Sequence, residues 1–148
     1  MKHFAKKHKS PFTARQLFDL VLDVESYPEY LPFCEALRVL SRQEEGAGEI
    51  ITADMKIGYK QFSETYRSLI KTQPESHSIN VTSLDGPLKA LENKWKFSDL
   101  EEGGCEIEYS LSYKFRNTLL QMAMSTMLER ASDKFLNAFE KRAQEKYT

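Results

Sequence analysis

The sequence predicts an α+β fold in which a strongly curved antiparallel sheet wraps around a long C-terminal helix. Three observations support this prediction. Successive segments alternate apolar and polar residues between turn signals, the last segment switches to helical spacing, and a strand and a helix precede them. Because a curved sheet and a single helix do not easily fill the space between them, we also expect an apolar cavity there.

The N-terminal segment is expected to form a short edge strand followed by an amphipathic helix. Lysines recur along residues 4–9, which is typical of a strand at the edge of a sheet. Ser10 and Pro11 have the residue types of a helix cap and a first helical position. Apolar residues then recur near helical spacing, and the sequence therefore predicts a helix over residues 11–24.

The central part of the chain is expected to form an antiparallel meander of six strands. From residue 35 onward the apolar residues recur at every second position, which is typical of half-buried strands. Short turns between consecutive strands favour antiparallel neighbours. The turn signals lie at residues 45–48, 58–59, 73–76, 85–87 and 101–104.

Two neighbouring strands of this meander each present a wide apolar face. The first has the only tryptophan of the chain, Trp95, on the same face as Leu91 and Phe97, with Asn93 as a lone polar group. The second places every second residue from Cys105 to Phe115 on one face. Such faces are found both in packed cores and in the walls of apolar ligand cavities, and the pattern leaves both interpretations open.

The C-terminal segment predicts one long helix that lies across the sheet. Its apolar residues form a stripe at helical spacing, and Leu119, Met122 and Ala123 are expected to widen the N-terminal half of that stripe. A helix so long and so one-sided requires a partner surface. The stripe consists of Leu120, Met124, Met127, Leu128, Ala131, Phe135, Ala138, Phe139 and Arg142.

These predictions place two sets of residues around the expected cavity. We expect the ligand-binding wall to consist of Leu91, Asn93, Trp95, Phe97, Tyr109, Leu111, Tyr113, Met124, Met127 and Leu128. A proline-punctuated segment at residues 25–34 predicts turns or a broken helix that is too apolar for a plain surface loop. We therefore expect the mouth of the cavity to be formed by this segment and by the turn before the Trp95 strand, either as a lid or as a contact with a membrane. The mouth residues are Tyr27, Pro28, Tyr30, Leu31, Pro32, Phe33, Asp85, Gly86 and Pro87.

Composition narrows the classes of function that the chain can serve. A length of 148 residues predicts a single domain over residues 1–148, and a net charge of −1 gives no global electrostatic case for a DNA partner. No stretch has the length of a membrane span or the pattern of a secretory signal.

The two cysteines, Cys34 and Cys105, and the three histidines show no metal-like spacing, and no metal site or catalytic motif is expected. Asp23 and Glu25 are interpreted as helix-end caps or salt-bridge partners rather than an acid/base pair.

Three ordered motifs make the chain resemble the coenzyme Q-binding START-like family, which belongs to the polyketide cyclase-like superfamily. The first motif runs from Leu20 to Cys34, and the second joins Asp85-Gly86-Pro87 to Leu91 and Trp95-Lys96-Phe97. The third runs from Ile107 to Leu119, and the C-terminal positions Phe139, Arg142 and Tyr147 also match. Two departures are Leu88, where the family often has Phe, and Lys114, where relatives often have Glu.

The resemblance implies a helix-grip fold, like that of START proteins and birch-pollen allergens, and a non-enzymatic carrier of ubiquinone or a similar polyprenyl lipid that supports respiratory electron transport. It also implies no cofactor, with ubiquinone as the carried ligand, and Asn93, Tyr109 and Tyr113 as candidate donors to the quinone carbonyls. Two alternatives stay open: an aromatase/cyclase-type enzyme, and a ribosome-associated regulator that contacts RNA through Lys2, Lys6, Lys7 and Lys9. We expect a cytoplasmic protein with transient contact at the inner membrane surface.

Overall fold

The computed structural model describes residues 2–148, with every side chain in that range except that of Asp85. Within these residues the chain forms an antiparallel sheet, one short and one long α-helix, and two brief 3-10 turns over Val24–Glu29 and Pro74–Ser76. In chain order the main elements are β1 (Lys2–Ser10), α1 (Ala14–Leu22), β2 (Cys34–Glu45), β3 (Gly48–Tyr59), β4 (Phe62–Gln73), β5 (Ser78–Asp85), β6 (Leu88–Asp99), β7 (Cys105–Phe115) and α2 (Thr118–Tyr147).

The sheet confirms the predicted meander. Its seven strands follow the order β1-β7-β6-β5-β4-β3-β2, so β2 to β7 pair with their chain neighbours and β1 closes against β7 as an edge strand. All pairs are antiparallel. The long helix α2 lies on the inner face of this sheet, where the rings of Trp95 and Phe139 have centroids 5.5 Å apart. The predicted fold class is confirmed.

Alternation along the strands decides which side chains face α2. In β7 every second residue from Cys105 to Phe115 is buried, while the intervening residues are half-buried or exposed. In β6 the buried Trp95 and Phe97 and the half-buried Leu91 and Asn93 share the inner face. This matches the face that period-two spacing predicted for both strands.

The first helix begins later than predicted. Thr13, not Ser10, is the N-cap, because Ser10 remains in β1, where it pairs with Cys105. Thr13 and Gln16 form a reciprocal capping box: the Thr13 hydroxyl accepts from the Gln16 N–H at 3.1 Å, and the Gln16 side chain accepts from the Thr13 N–H at 2.9 Å. The buried Ser10 hydroxyl instead accepts a bond from the Phe12 N–H at 3.3 Å.

The turn between β3 and β4 also differs from the prediction. It lies at residues 60 and 61, where Lys60 adopts a φ of 55°, rather than at Gly58 and Tyr59. Gly58 belongs to β3, and a Cβ there would lie 2.5 Å from the carboxylate of Glu35. A side chain at position 58 would displace the flexible end of Glu35, and Gly58 is a strand residue rather than a turn residue.

The apolar stripe of α2 is narrower at its N-terminal end than predicted. Leu119 and Met122 are 71% and 72% exposed, whereas Met124 is fully buried. Residues two positions apart lie about 200° apart around a helix, so Met122 and Met124 cannot share a face. Further along the helix, Ser132, Leu136 and Ala143 are buried although the predicted stripe omitted them.

Cys34 and Cys105 are both free and buried. No helix among the described residues is long and apolar enough to cross a membrane.

Candidate functional site

A cavity of about 130 Å³ lies between the inner face of the sheet and α2. Every strand from β3 to β7 contributes to its wall, and the lining is mostly aliphatic and aromatic. The lining residues are Met55, Ile57, Tyr66, Ser68, Val81, Leu88, Leu91, Asn93, Trp95, Tyr109, Leu111, Phe115, Met127, Leu128 and Phe135.

Seven of the ten predicted wall residues line this cavity, and three do not. The seven are Leu91, Asn93, Trp95, Tyr109, Leu111, Met127 and Leu128. Phe97 instead stacks against Trp95 with ring centroids 5.9 Å apart, and Tyr113 packs between the rings of Phe4 and Phe115. Met124 is fully buried away from the cavity lining. These three side chains fill the adjoining core because the cavity occupies only the middle of the space between sheet and helix.

Sequence reasoning missed eight lining residues, of which five lie on β3 to β5 and the others are Leu88 on β6, Phe115 on β7 and Phe135 on α2. The alternation in β3 marked Met55 and Ile57 as inward-facing, but periodicity does not distinguish a side chain that fills core from one that borders a gap. The curvature of the sheet makes that distinction. The missed residues are Met55, Ile57, Tyr66, Ser68, Val81, Leu88, Phe115 and Phe135.

Of the three polar groups predicted to contact a ligand, Asn93 and Tyr109 already bond to protein groups, whereas the buried hydroxyl of Tyr113 forms no such bond and lies outside the cavity lining. Asn93 donates to the Ser110 carbonyl at 2.8 Å and accepts from the Trp95 Nε1–H at 2.8 Å. The Tyr109 hydroxyl accepts from the Ser132 hydroxyl at 3.2 Å. These bonds fix the orientation of the wall, and they leave the amide of Asn93 little capacity for a further partner.

Tyr66 is a cavity-lining residue whose hydroxyl is not bonded to the protein. Its side chain lines the cavity and is 8% exposed, and its hydroxyl is buried without a hydrogen-bond partner. Burial, helped by the nearby Glu64 carboxylate, raises the pKa of this phenol well above its usual value. The group is therefore a neutral hydrogen-bond donor at physiological pH. Leaving such a group unpaired costs about 1–3 kcal/mol, so it is the group in this wall that would gain most from a ligand acceptor.

The predicted mouth segment at residues 27–33 packs against the C-terminal half of α2. The rings of Tyr27 and Tyr30 both contact Phe139, with centroids 5.6 and 5.8 Å away. Leu31 is 6% exposed, and Phe33 packs edge-on against Tyr59. None of the predicted mouth residues Tyr27, Pro28, Tyr30, Leu31, Pro32 or Phe33 lines the cavity.

The second predicted mouth segment, the turn before β6, lies beside one end of the cavity. The carbonyls of Gly86 and Pro87 accept bonds from the side chain and the backbone N–H of Arg116, at 3.1 and 2.9 Å. Leu88 follows Pro87 in the chain, and Phe115 precedes Arg116. These two residues pair across β6 and β7 and line the cavity. The side chain of Asp85, also predicted here, lies outside what the structure describes.

The carboxylates at the end of α1 have structural partners. Asp23 accepts from the Ser26 hydroxyl at 2.7 Å, and Glu25 pairs with Arg42 at 3.0 Å. Among the described side chains, no group of three or more histidines, cysteines or carboxylates is arranged to hold a metal ion.

Residues 10–140 match the family model described as polyketide cyclase / dehydrase and lipid transport. A protein named ribosome association toxin RatA from Escherichia coli K12 is 34% identical over 139 residues, which cover 93% of this chain and 84% of that protein. A second RatA, from Vibrio cholerae, is 31% identical over 147 residues and 99% of both chains. A mitochondrial coenzyme Q-binding protein COQ10 homolog B from Xenopus laevis is 29% identical over 136 residues, which cover 89% of this chain and 54% of that protein.

Solved structures show the same fold. An 18 kDa protein from Caulobacter crescentus superposes with a TM-score of 0.81 at 29% identity and covers 98% of this chain and 97% of its own. The Zhui aromatase/cyclase of a Streptomyces species superposes with a TM-score of 0.85 at 17% identity, covering 99% of this chain and 96% of its own. A START superfamily protein from Mycobacterium smegmatis gives a TM-score of 0.80 at 14% identity over 97% of both chains.

Proposed function

The chain belongs to the polyketide cyclase / dehydrase and lipid transport family, and from this premise we propose that it is a non-enzymatic carrier of ubiquinone or a similar polyprenyl lipid. One observation carries the proposal: an apolar cavity whose wall contains a buried, unpartnered phenol, that of Tyr66. A quinone carbonyl is a hydrogen-bond acceptor on a small apolar ring, and it would satisfy this donor. The name of the COQ10 relative, a coenzyme Q-binding protein, supports the same ligand class.

The volume of the cavity suits a ring rather than a whole polyprenyl lipid. At about 130 Å³ it is close in size to a cavity of about 150 Å³ that binds benzene in another protein. A polyprenyl tail therefore requires the wall to open, and we place that opening beside Leu88 and Phe115, the lining residues that are closest in sequence to the start of α2 and to the turn before β6. Each buried CH₂ of the tail stabilises the complex by about 0.8 kcal/mol, so little polar recognition is needed.

The lining favours a carrier over an aromatase/cyclase-type enzyme. Ring closure and dehydration require groups that give and take protons. Within the described lining there is no carboxylate, histidine or lysine, and the two phenols, Tyr66 and Tyr109, have pKa values raised by burial. We therefore assign these hydroxyls to hydrogen bonding rather than to proton transfer.

Native mass spectrometry of the protein purified without detergent tests the proposal. We expect a co-purifying lipid of ubiquinone mass, in equimolar complex with the chain. Ser68→Leu places a larger side chain into the cavity wall and should abolish the complex while the fold persists. Ser110→Leu, on the opposite face of the sheet, is the matched control and should leave the complex intact.

Two results would contradict the carrier. Equal lipid retention by Ser68→Leu and the parent protein would move the ligand away from the cavity. An aromatic polyketide in place of a quinone, converted on incubation, would favour the enzyme.

A second candidate function, ribosome association, is favoured by a lysine-rich groove on the outer face of the sheet. Lys7, Lys71, Lys94 and Lys96 line this groove, which has a volume of about 620 Å³. Lys7 pairs with Glu108 and Lys94 with Glu92, whereas Lys71 and Lys96 form no salt bridge with any described side chain. These two lysines lie on β4 and β6, the strands on either side of β5, and they would attract the phosphates of RNA.

The groove includes Lys6 and Lys7 of the N-terminal lysine patch that the sequence suggested, but not Lys2 or Lys9. Lysines of β1 alternate between the two faces of the sheet, and Lys6, Lys7 and Lys9 have acidic partners in Asp133, Glu108 and Glu102. The N-terminal lysines therefore do not form one cationic surface.

Sedimentation with ribosomes over a range of salt concentrations tests the second candidate. Replacing Lys71 and Lys96 with Glu should reduce co-sedimentation and flatten its salt dependence. The control is Lys141→Glu, an exposed lysine on α2. The groove is rejected as an RNA contact if Lys141→Glu reduces co-sedimentation with ribosomes as much as the groove variant does. It is also rejected if co-sedimentation of the parent protein does not depend on salt.

A further inference from the structure

Three large apolar side chains are exposed near the start of α2. Leu119 and Met122 are 71% and 72% exposed, and Leu84, at the end of β5, is 50% exposed. Single exposed apolar residues are ordinary on protein surfaces. Here, however, Leu119 and Met122 are three residues apart and share one face of the helix, and Leu84 is two residues from Gly86, which is bonded to Arg116. We call these three residues the helix-start patch.

The sequence around the patch lacks the charges that the rest of α2 carries. No acidic or basic residue occurs from residue 117 to 128, whereas every later turn of the helix has at least one. A solvated helix face normally carries charge on its outer side. The absence of charge is therefore confined to the segment whose outer face exposes Leu119 and Met122.

Three basic residues lie in the chain segments next to the patch, with Arg116 two residues before the start of α2 and Lys114 on the outer face of β7. Lys89, Lys114 and Arg116 are exposed, and the pairing of Leu88 with Phe115 and of Ala90 with Lys114 holds their segments side by side. Neither Lys89 nor Lys114 forms a salt bridge with a described side chain. Residues 84–91 and 112–128 contain three basic residues and one acidic residue, Asp85, while Glu64 and Glu92 lie on the adjoining parts of β4 and β6.

We propose that the helix-start patch docks on an anionic phospholipid membrane, with Leu119 and Met122 among the headgroups and the basic residues against lipid phosphates. An apolar face bordered by lysine and arginine is the composition that binds such a surface, because burial of apolar area and attraction to anionic lipid add together. The proposal rests on the proposed carrier function in one respect. Leu88 and Phe115, which line one end of the cavity, would then face the lipid that supplies the ligand.

The docking surface differs from the one that sequence composition suggested. The segment at residues 27–33 was expected to form the cavity mouth, a lid or a membrane contact, but its Leu31 is only 6% exposed. The exposed apolar area lies instead around the helix start, next to the Gly86-Pro87 turn.

Vesicle co-sedimentation tests the docking surface. The vesicles contain phosphatidylcholine either alone or mixed with phosphatidylglycerol, and we expect binding to the anionic mixture. The variant Leu119→Ser/Met122→Ser should bind about tenfold more weakly because the inserted apolar area is lost. The control is Leu40→Ser, a 39% exposed leucine on the β2 edge, which should bind like the parent protein.

Charge variants separate the contribution of the basic residues to membrane binding from that of the exposed apolar residues. Lys89→Gln and Lys114→Gln should each weaken binding to anionic vesicles about fivefold and leave the weak binding to neutral vesicles unchanged. The controls are Lys71→Gln and Lys96→Gln in the lysine-rich groove, which should have no such effect. Circular dichroism melts of all variants verify that these exposed substitutions leave the fold intact.

Four outcomes would overturn the docking surface. They are no binding of the parent protein to anionic vesicles, equal binding to both vesicle types, an equal loss with Leu40→Ser, and a patch-dependent dimer in vesicle-free buffer. Titration of a short-chain ubiquinone in vesicle-free buffer separates docking from the carrier function. Quinone binding without vesicle binding rejects docking alone, whereas vesicle binding without quinone binding rejects the carrier alone.

Discussion

The hydroxyl of Tyr66 gives the most specific expectation at the level of single residues. It is buried in the cavity wall with no partner in the described structure, so it costs the empty protein stability. We expect Tyr66→Phe to raise the free energy of unfolding by about 1 kcal/mol and to weaken ubiquinone binding about tenfold. Chemical denaturation and ligand titration measure the two effects on the same sample.

Tyr109→Phe is the matched control for this change. The Tyr109 hydroxyl accepts a bond from the buried Ser132, and its removal leaves that serine unpaired. This variant should lose about 1–3 kcal/mol of stability. If Tyr66→Phe also destabilises the empty protein, the hydroxyl is satisfied in solution and the ligand-binding role assigned to it fails.

Sequence reasoning found the polar residues of the site only in part. Asn93 stood out because it interrupts an apolar face, yet its bonds to Ser110 and Trp95 depend on the register of two strands. Tyr66 gave no such signal, because a tyrosine within an alternating strand is ordinary. What makes it unusual is the lack of a partner, and that property appears only in three dimensions.

The capping box of α1 leads to an expectation at the level of elements. Thr13→Ala removes the acceptor for the Gln16 N–H and should lower the free energy of unfolding by about 1 kcal/mol. Thr126→Ala makes the same change at an exposed position inside α2, where alanine is the better helix former, and should be neutral or slightly stabilising. Denaturant melts of the two variants measure their free energies of unfolding. Equal effects of the two substitutions would contradict Thr13 as the cap.

The two halves of α2 should differ in their dynamics. Residues 131–143 are held by rings such as Phe139 against Trp95, Tyr27 and Tyr30. Within residues 116–128, Met127 and Leu128 line the cavity, and Leu119 and Met122 are exposed. We expect amide hydrogen exchange to be faster in the first half, and to slow there when ubiquinone is added. Uniform protection that ligand leaves unchanged would contradict an opening at the start of the helix.

Elements were the scale at which the sequence was most informative. Period-two spacing identified the inner faces of β6 and β7, since alternation follows directly from strand geometry. The apolar stripe on α2 was predicted too wide, because Leu119 and Met122 are apolar but exposed. The helix start was misplaced because Ser10-Pro11 has the residue types of a cap, while pairing with β7 keeps Ser10 in a strand.

On the scale of the whole molecule, the order of elements predicted the fold and the presence of a cavity. The arrangement requires a gap between the curved sheet and α2, but its position and its volume of about 130 Å³ depend on how the large side chains pack. Phe97 and Tyr113 pack in the core next to the gap, and β3 to β5 close it with residues that sequence reasoning did not single out.

The central claim is that this cavity binds the ring of a quinone lipid, and Trp95 provides the most direct test. It is the only tryptophan of the chain and lines the cavity, so its emission reports on this site alone. Short-chain ubiquinone is titrated into detergent-free protein, with a free tryptophan derivative as the control for absorption by the quinone. We expect saturable quenching with an equimolar end point, weakened in Ser68→Leu. Quenching that rises linearly and matches the free derivative would contradict the claim.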